Sequence, residues 1–247
     1  MGRVLSVIFI LLLFLGCATT DAPSIANFGI QPGVESYVPA RIAVAPCQPW
    51  PSLADYKERG SVALKADELQ ELCHSFDEYV LKGFANQPYL HGYTPKVIAE
   101  MLKKSDHPDL MSQWDEHWQP QQKCEACSNS VAFYHTEMAV KISWQQWLND
   151  LSKFTRHCDA LLLPLILTAT AEQQNDRGLR KSEKELALAL FLIDTNNGKL
   201  IWAQSRNSGI HNESLQGDFP PFPPWSSLSE RLLTEALWKE FPGRLIY

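Results

Sequence analysis

Apolar positions recur along the chain in two periods, and the changes between them mark the elements. Arg41-Ile42-Ala43-Val44-Ala45-Pro46 is a short apolar run halted by proline, which reads as a buried first strand. Leu69, Leu72, Cys73, Phe76, Tyr79, Val80 and Phe84 then recur at helical spacing, with Asp67 as the cap and Gly83 and Pro88 closing the helix. Residues 89–93 read as a short strand. Thr94-Pro95 sets a capping side chain before a proline at the first helical position and opens a helix to about Lys104. Residues 144–156 carry Trp147, Leu148, Leu151 and Phe154 on one helical face, and residues 160–167 form another apolar strand. Two further strands, 185–193 and 199–205, flank Asp194-Thr195-Asn196-Asn197-Gly198, whose Asn197-Gly198 pair favours the positive φ of a tight hairpin. The charged stretch 172–184 reads as a mobile loop, Pro220-Pro221-Phe222-Pro223-Pro224-Trp225 as a rigid connector, and residues 226–241 as a final helix. Alternation of strands and helices predicts an α/β fold with a single mixed β-sheet flanked by helices, in a two-layer or three-layer sandwich.

The amino terminus follows a different rule. One positive charge, Arg3, precedes an almost wholly apolar run from Val4 to Gly16. The run is short for a bilayer span and has the layout of a secretory signal. It ends at Phe14-Leu15-Gly16-Cys17, followed by the small polar stretch Ala18-Thr19-Thr20-Asp21. This resembles the lipobox of bacterial lipoproteins, departing from it in having Phe14 where Leu is usual. The resemblance implies cleavage before Cys17, acylation of that cysteine and, from Ala18, an outer-membrane address facing the periplasm. The expected organisation is a signal peptide over 1–16, a lipidated tether over 17–39, and one α/β domain over 40–247 with an irregular insertion at 105–140.

Composition narrows the remaining classes. Hydrophobic residues make up 45% and charged residues 20% of the chain, which suits a globular core. The net charge of −6 falls to −7 without Arg3 and supplies no attraction for nucleic acid. Eight Trp and sixteen Pro suggest long structured loops. Beyond Cys17, the cysteines at 47, 73, 124, 127 and 158 are an odd number in an oxidising compartment. A bridge between two of Cys47, Cys73 and Cys158 is open, although Cys73 on an apolar helical face reads best as a buried free thiol. Cys124 and Cys127 form a CxxC. Residue 128 is Ser, so haem attachment fails; the irregular setting argues against a thioredoxin-type site. A local disulfide is the simplest reading, and a zinc site of His117, Cys124, Cys127 and His135 is its alternative.

No Gly-x-Ser-x-Gly elbow, HExxH pair, GxGxxG or phosphate-binding loop occurs, so no catalytic residue and no cofactor is proposed. Phe219, Phe222 and Trp225 on the rigid connector are the candidate protein contact; the competing reading has them cover their own core. A pore-forming assembly needs amphipathic hairpins, which residues 172–184 do not resemble.

The Arg-Ile-Ala-Val-Ala-Pro strand after a tether, the helix behind it and the late Leu188-Ala189-Leu190-Phe191-Leu192-Ile193-Asp194 to Gly198-Lys199-Leu200-Ile201-Trp202 hairpin occur together. In this the chain resembles the small envelope lipoproteins that include the curli-secretion lipoprotein and the activator lipoproteins of penicillin-binding proteins. Asp194, Gly198 and Trp202 match their pattern over roughly residues 41–93 and 159–205. The resemblance implies a mixed sheet flanked by helices and a non-catalytic role in binding or assembling an envelope complex for transport, secretion or wall synthesis. Its partners would be the bilayer, through acylated Cys17, envelope proteins and a homo-oligomer. The rival is a periplasmic thiol-redox or zinc protein built on Cys124 and Cys127.

Overall fold

The computed structural model describes residues 39–49, 64–85, 87, 90–117, 130–215, 217–234, 237–238 and 241–242. Its strands are β1 (Arg41–Val44), β2 (Gln48–Pro49), β3 (His91–Tyr93), β4 (Ala160–Asp176), β5 (Leu179–Asp194) and β6 (Leu200–Ser214). The helices are α1 (Ala66–Ala85), α2 (Pro95–Lys104), α3 (Trp114–His117), α4 (Ser130–Phe133, continuing as a π turn Tyr134–Met138), α5 (Ile142–Phe154) and α6 (Trp225–Leu232). The sheet order is β3-β1-β4-β5-β6, with β2 pairing β4 beyond the end of β1. Pairings of β1 with β3 and β4 are parallel, and those among β4, β5 and β6 are antiparallel. The sheet is therefore mixed.

Both faces of the sheet are covered, which makes the fold three layers. Leu186, Leu188, Leu190 and Leu192 of β5 enter one core with α1, α6, Trp238 and Phe241. Ala189, Phe191 and Ile193 enter the other with Ile98 and Leu102 of α2 and Trp144, Trp147, Leu148 and Leu151 of α5. A strand buried on both sides needs apolar residues at every position, which is why 186–193 is an unbroken apolar run. One-residue shifts reset the alternation. Past the shift between Ile166 and Thr168 of β4, Ala169 takes the core that Ala160, Leu162 and Ile166 occupy. Past the shift opposite Leu192, Ile201 and Trp202 both turn into that core.

The ends of the strands are fixed locally. Asp159 Oδ2 accepts from the Ala40 and Arg41 amides at 3.1 and 2.8 Å, and Oδ1 receives the Arg41 guanidinium at 3.1 Å. These bonds fasten the start of β1 to the start of β4. Thr94 caps α2 as expected, its hydroxyl accepting from Val97 N. α1 begins at Ala66, so Asp67 lies in its first turn and is not the cap; Glu68 instead reaches back to Lys65 N at 3.1 Å. The described parts of 105–140 hold a 3-10 turn, α3, α4 and the π turn.

Three expectations are corrected. Residues 172–184 are no loop: β4 and β5 run on through them to a two-residue turn at Arg177 and Gly178, with φ of 51° and 92°. Cys73 is not a free thiol but is disulfide-bonded to Cys47, with Cα atoms 5.3 Å apart. The bond ties the segment after β1 to α1, whose Leu72, Phe76 and Val80 share one core with Ile42 and Val44 of β1 and Leu162 of β4. Helix α6 spans Trp225–Leu232 and ends at Leu233, so one unbroken helix does not run to residue 241; residues 237–238 are helical again.

Candidate functional site

The distal halves of β4, β5 and β6 extend past the helical layers as a three-stranded ribbon. Seven residues of β5, 179–185, carry it about 23 Å at ~3.3 Å per residue. Side chains alternate between its two faces. Arg180, Ser182 and Lys184 point to the side on which α1 and α6 lie, continuing the series of Leu186 and Leu188. Lys181, Glu183 and Glu185 point to the opposite side, where Glu183 stands beside Glu172 of β4 and His211 of β6. Neither face is apolar, and this polarity made the stretch resemble a loop in sequence.

The proline-rich segment folds back over the first of these faces. Ser182 Oγ donates to Pro220 O, and Asn212 Nδ2 donates to Pro221 O at 2.7 Å. The Arg180 guanidinium stands 5.7 Å from the Phe219 ring centroid. Lys184 Nζ lies 4.4 Å from the Trp225 ring and 6.0 Å from Phe222. Burial pushes the Lys184 ammonium below its ordinary range, opposed by the negative charges of Glu68 and Glu71 on α1. Four prolines hold the backbone extended and reduce the entropy lost when the segment docks.

The three aromatic residues of the candidate contact thus separate. Phe219 and Phe222 are each 38% exposed and remain available at the ribbon surface. Trp225 is 1% exposed at the start of α6, in the core, and is corrected from a surface contact to a core anchor. A polyproline-like stretch turns about 120° per residue, so 219, 222 and 225 share one side of it; they differ in burial because Trp225 opens α6 and enters the core. Leu215, 79% exposed at the end of the ribbon, was missed.

Cys17, Cys124 and Cys127 lie outside the described residues. His117 is half-buried, its ring 5.9 Å from Trp144 and 6.1 Å from Trp147, and its carbonyl accepts from Lys141 Nζ at 2.9 Å. His135 is exposed on the π turn. Among the described residues no group of three or more His, Cys, Asp or Glu side chains is placed to hold a metal ion. Cys158 is buried and unbridged; burial pushes its thiol up to about 11, the state of an unreactive structural cysteine.

The hairpin residues of the lipoprotein pattern have structural roles. The Asp194 carboxylate accepts from Asn196 N at 2.8 Å and from Asn197 Nδ2 at 2.7 Å, Gly198 adopts φ of +69°, and Tyr134 OH donates to Gly198 O at 2.6 Å. Trp202 fills the core four residues later, edge-on to Phe241 at 5.1 Å.

One carboxyl group stands apart. Asp77, half-buried on α1, has no described hydrogen-bond partner for Oδ1. Burial raises its pKa to about 6, a shift that the neighbouring His74 partly opposes. The folded state therefore holds a proton that the unfolded chain releases near pH 3.8, and stability falls as pH rises between about 4 and 6. Asp77→Asn is expected to stabilise the protein above pH 6 by on the order of 1–2 kcal/mol, below the full converted shift because the carboxyl keeps solvent contact. Urea unfolding at pH 4 and pH 7.5 checks this: the gain should vanish at the lower pH, and an equal gain at both would mean that charge is not the cause.

No protein-family model and no curated protein matches the chain. Among solved structures it is similar to lipoprotein GNA1162 from Neisseria meningitidis, at 14% identity and TM-score 0.40, over 81% of this chain and 97% of that one. The PelC dodecamer from Paraburkholderia phytofirmans aligns at 10% identity and TM-score 0.38, over 84% and 90% of the two chains. The LpoB C-terminal domain from Salmonella enterica aligns at 10% identity and TM-score 0.33, over 73% and 95%. The chain thus has a loose likeness to structures that include bacterial lipoproteins, too distant to carry an assignment.

Proposed function

We propose that this chain is a non-catalytic outer-membrane lipoprotein, anchored by acylated Cys17, that faces the periplasm and docks on or assembles an envelope protein complex. The observation that carries the reading is the ribbon. Its far end, including residues 172–176 of β4, is exposed, it is polar on both faces, and it carries Phe219 and Phe222 from a segment stiffened by four prolines. Half-exposed aromatics on a preorganised backbone suit recognition of another protein, since little entropy is lost on contact. The anchor reading rests on the apolar run ending at Cys17 and on the polar stretch after it.

Two measurements test it. Intact mass spectrometry of protein extracted by detergent from its own envelope should give a chain beginning at Cys17 with acyl groups; an unacylated mass would remove the anchor. A photo-crosslinking residue at Phe222 should capture an envelope protein that the same probe at Ile142, exposed on the opposite layer, does not. Equal capture at both positions would remove the ribbon as the contact. One equivalent of zinc bound through Cys124 and Cys127 would favour the metal reading instead.

A further inference from the structure

β6 is the last strand of the sheet, and among the described residues only β5 pairs with it. The β5–β6 register is unbroken from Leu192↔Trp202 to Arg180↔Ser214, and β6 contains no proline. The bulge and the proline that commonly blunt an edge strand are both missing from 207–213. Arg231 Nη1 reaches this edge and donates to Gly209 O at 3.1 Å. The bond marks Gly209 as a residue whose backbone faces away from β5, and antiparallel alternation gives Asn207, His211 and Glu213 the same direction.

We infer that this edge pairs antiparallel with the same edge of a second copy of the chain, about a two-fold axis at Asn212. The polar side chains choose the register. His211 and Glu213 sit on one face of the ribbon, with Nε2 and Oε1 3.0 Å apart. With the axis at Asn212, His211 stands opposite Glu213 of the partner subunit, and Glu213 opposite His211 of the partner subunit, so imidazole donors and carboxylate acceptors alternate. An axis at Glu213 opposes two glutamates, and one at His211 opposes two histidines. An axis at Ile210 leaves Glu213 facing Asn207 of the partner subunit. A carboxylate opposite a hydrogen-bond donor stabilises a ladder and two carboxylates opposed weaken it, so Asn212 is the favoured centre. The same register lays the exposed Leu215 against Gly209 of the partner subunit, where the ribbon face has no side chain. The contact is isologous and closes at two copies. It does not depend on the lipid anchor or on the envelope partner.

The test uses the full-length chain in detergent. Sedimentation should show a dimer. Asn212→Cys should give a disulfide-linked dimer on mild oxidation, mapped to the peptide containing residue 212, because directly opposed Cα atoms lie within disulfide reach. Ser208→Cys, displaced from the axis, should not. His211→Glu should weaken dimerisation roughly tenfold or more by opposing like charges twice. His211→Glu combined with Glu213→Lys should restore it. A monomer at all concentrations, equal crosslinking at 208 and 212, or no recovery in the double variant would overturn the inference.

Discussion

Replacing Trp225 with alanine is expected to lower the unfolding free energy by about 3–5 kcal/mol, the range for removing a buried large aromatic. The ring is 1% exposed and belongs to the core that α1 and α6 form on the sheet. It also lies 4.4 Å from Lys184 Nζ, so its loss leaves a buried ammonium facing a void. Two consequences should appear together. Urea unfolding should shift to lower concentration, and protease should cut within 216–224 under native conditions, because Trp225 holds the carboxyl end of the proline-rich segment. Trp225→Phe keeps most of the apolar contact and should cost far less. A loss below about 1 kcal/mol for the alanine variant would show that α6 is anchored without this residue.

Opening the Cys47–Cys73 bridge is the second large effect. The two residues are separated by 26 positions, and the chain-entropy relation gives about 3.5 kcal/mol for a loop of that length. Thermal melts with and without reductant should therefore differ by several degrees. Cys73→Ser and the double change with Cys47→Ser should fall together, because either removes the same crosslink. If the single change melts well below the double, an unpaired Cys47 thiol is causing harm of its own. If neither lowers the melt, the bond adds nothing to the sheet–helix contact already there.

Much of the architecture could be read from the residues because burial and periodicity agree there. β1, α1, β3, α2, α5, the start of β4, the end of β5 and the Asp194–Gly198 turn each carry an apolar pattern or a turn residue that only one element satisfies. The ribbon could not be read that way. Its residues face water on one side and the proline-rich segment on the other, so Arg180, Ser182 and Lys184 are covered without being apolar. The available signal was Asp176-Arg177-Gly178, a tight-turn sequence flanked by two polar runs of similar length. Cys73 misled for a related reason. A cysteine on an apolar face looks like a small core residue, and only the packing of α1 over the end of β1 brings Cys47 to it. Trp225 was read as the end of the extended segment, whereas it opens α6 and packs into the core.

The ladders of this sheet differ greatly in when their partners are made. β4, β5 and β6 are consecutive, and each hairpin can close as soon as its own turn is synthesised. β1 instead takes β3 on one edge, where Arg41 pairs with His91, and its other edge pairs Ile42 with Ala160 and must wait for more than a hundred further residues. A chain made amino terminus first therefore leaves one edge of this apolar strand unpaired until β4 follows. Long-range parallel pairing is also the slow part of folding. The Asp159 carboxylate, which gathers the Ala40 and Arg41 amides, would then act as the last latch to close, joining the first-made strand to a hairpin assembled without it.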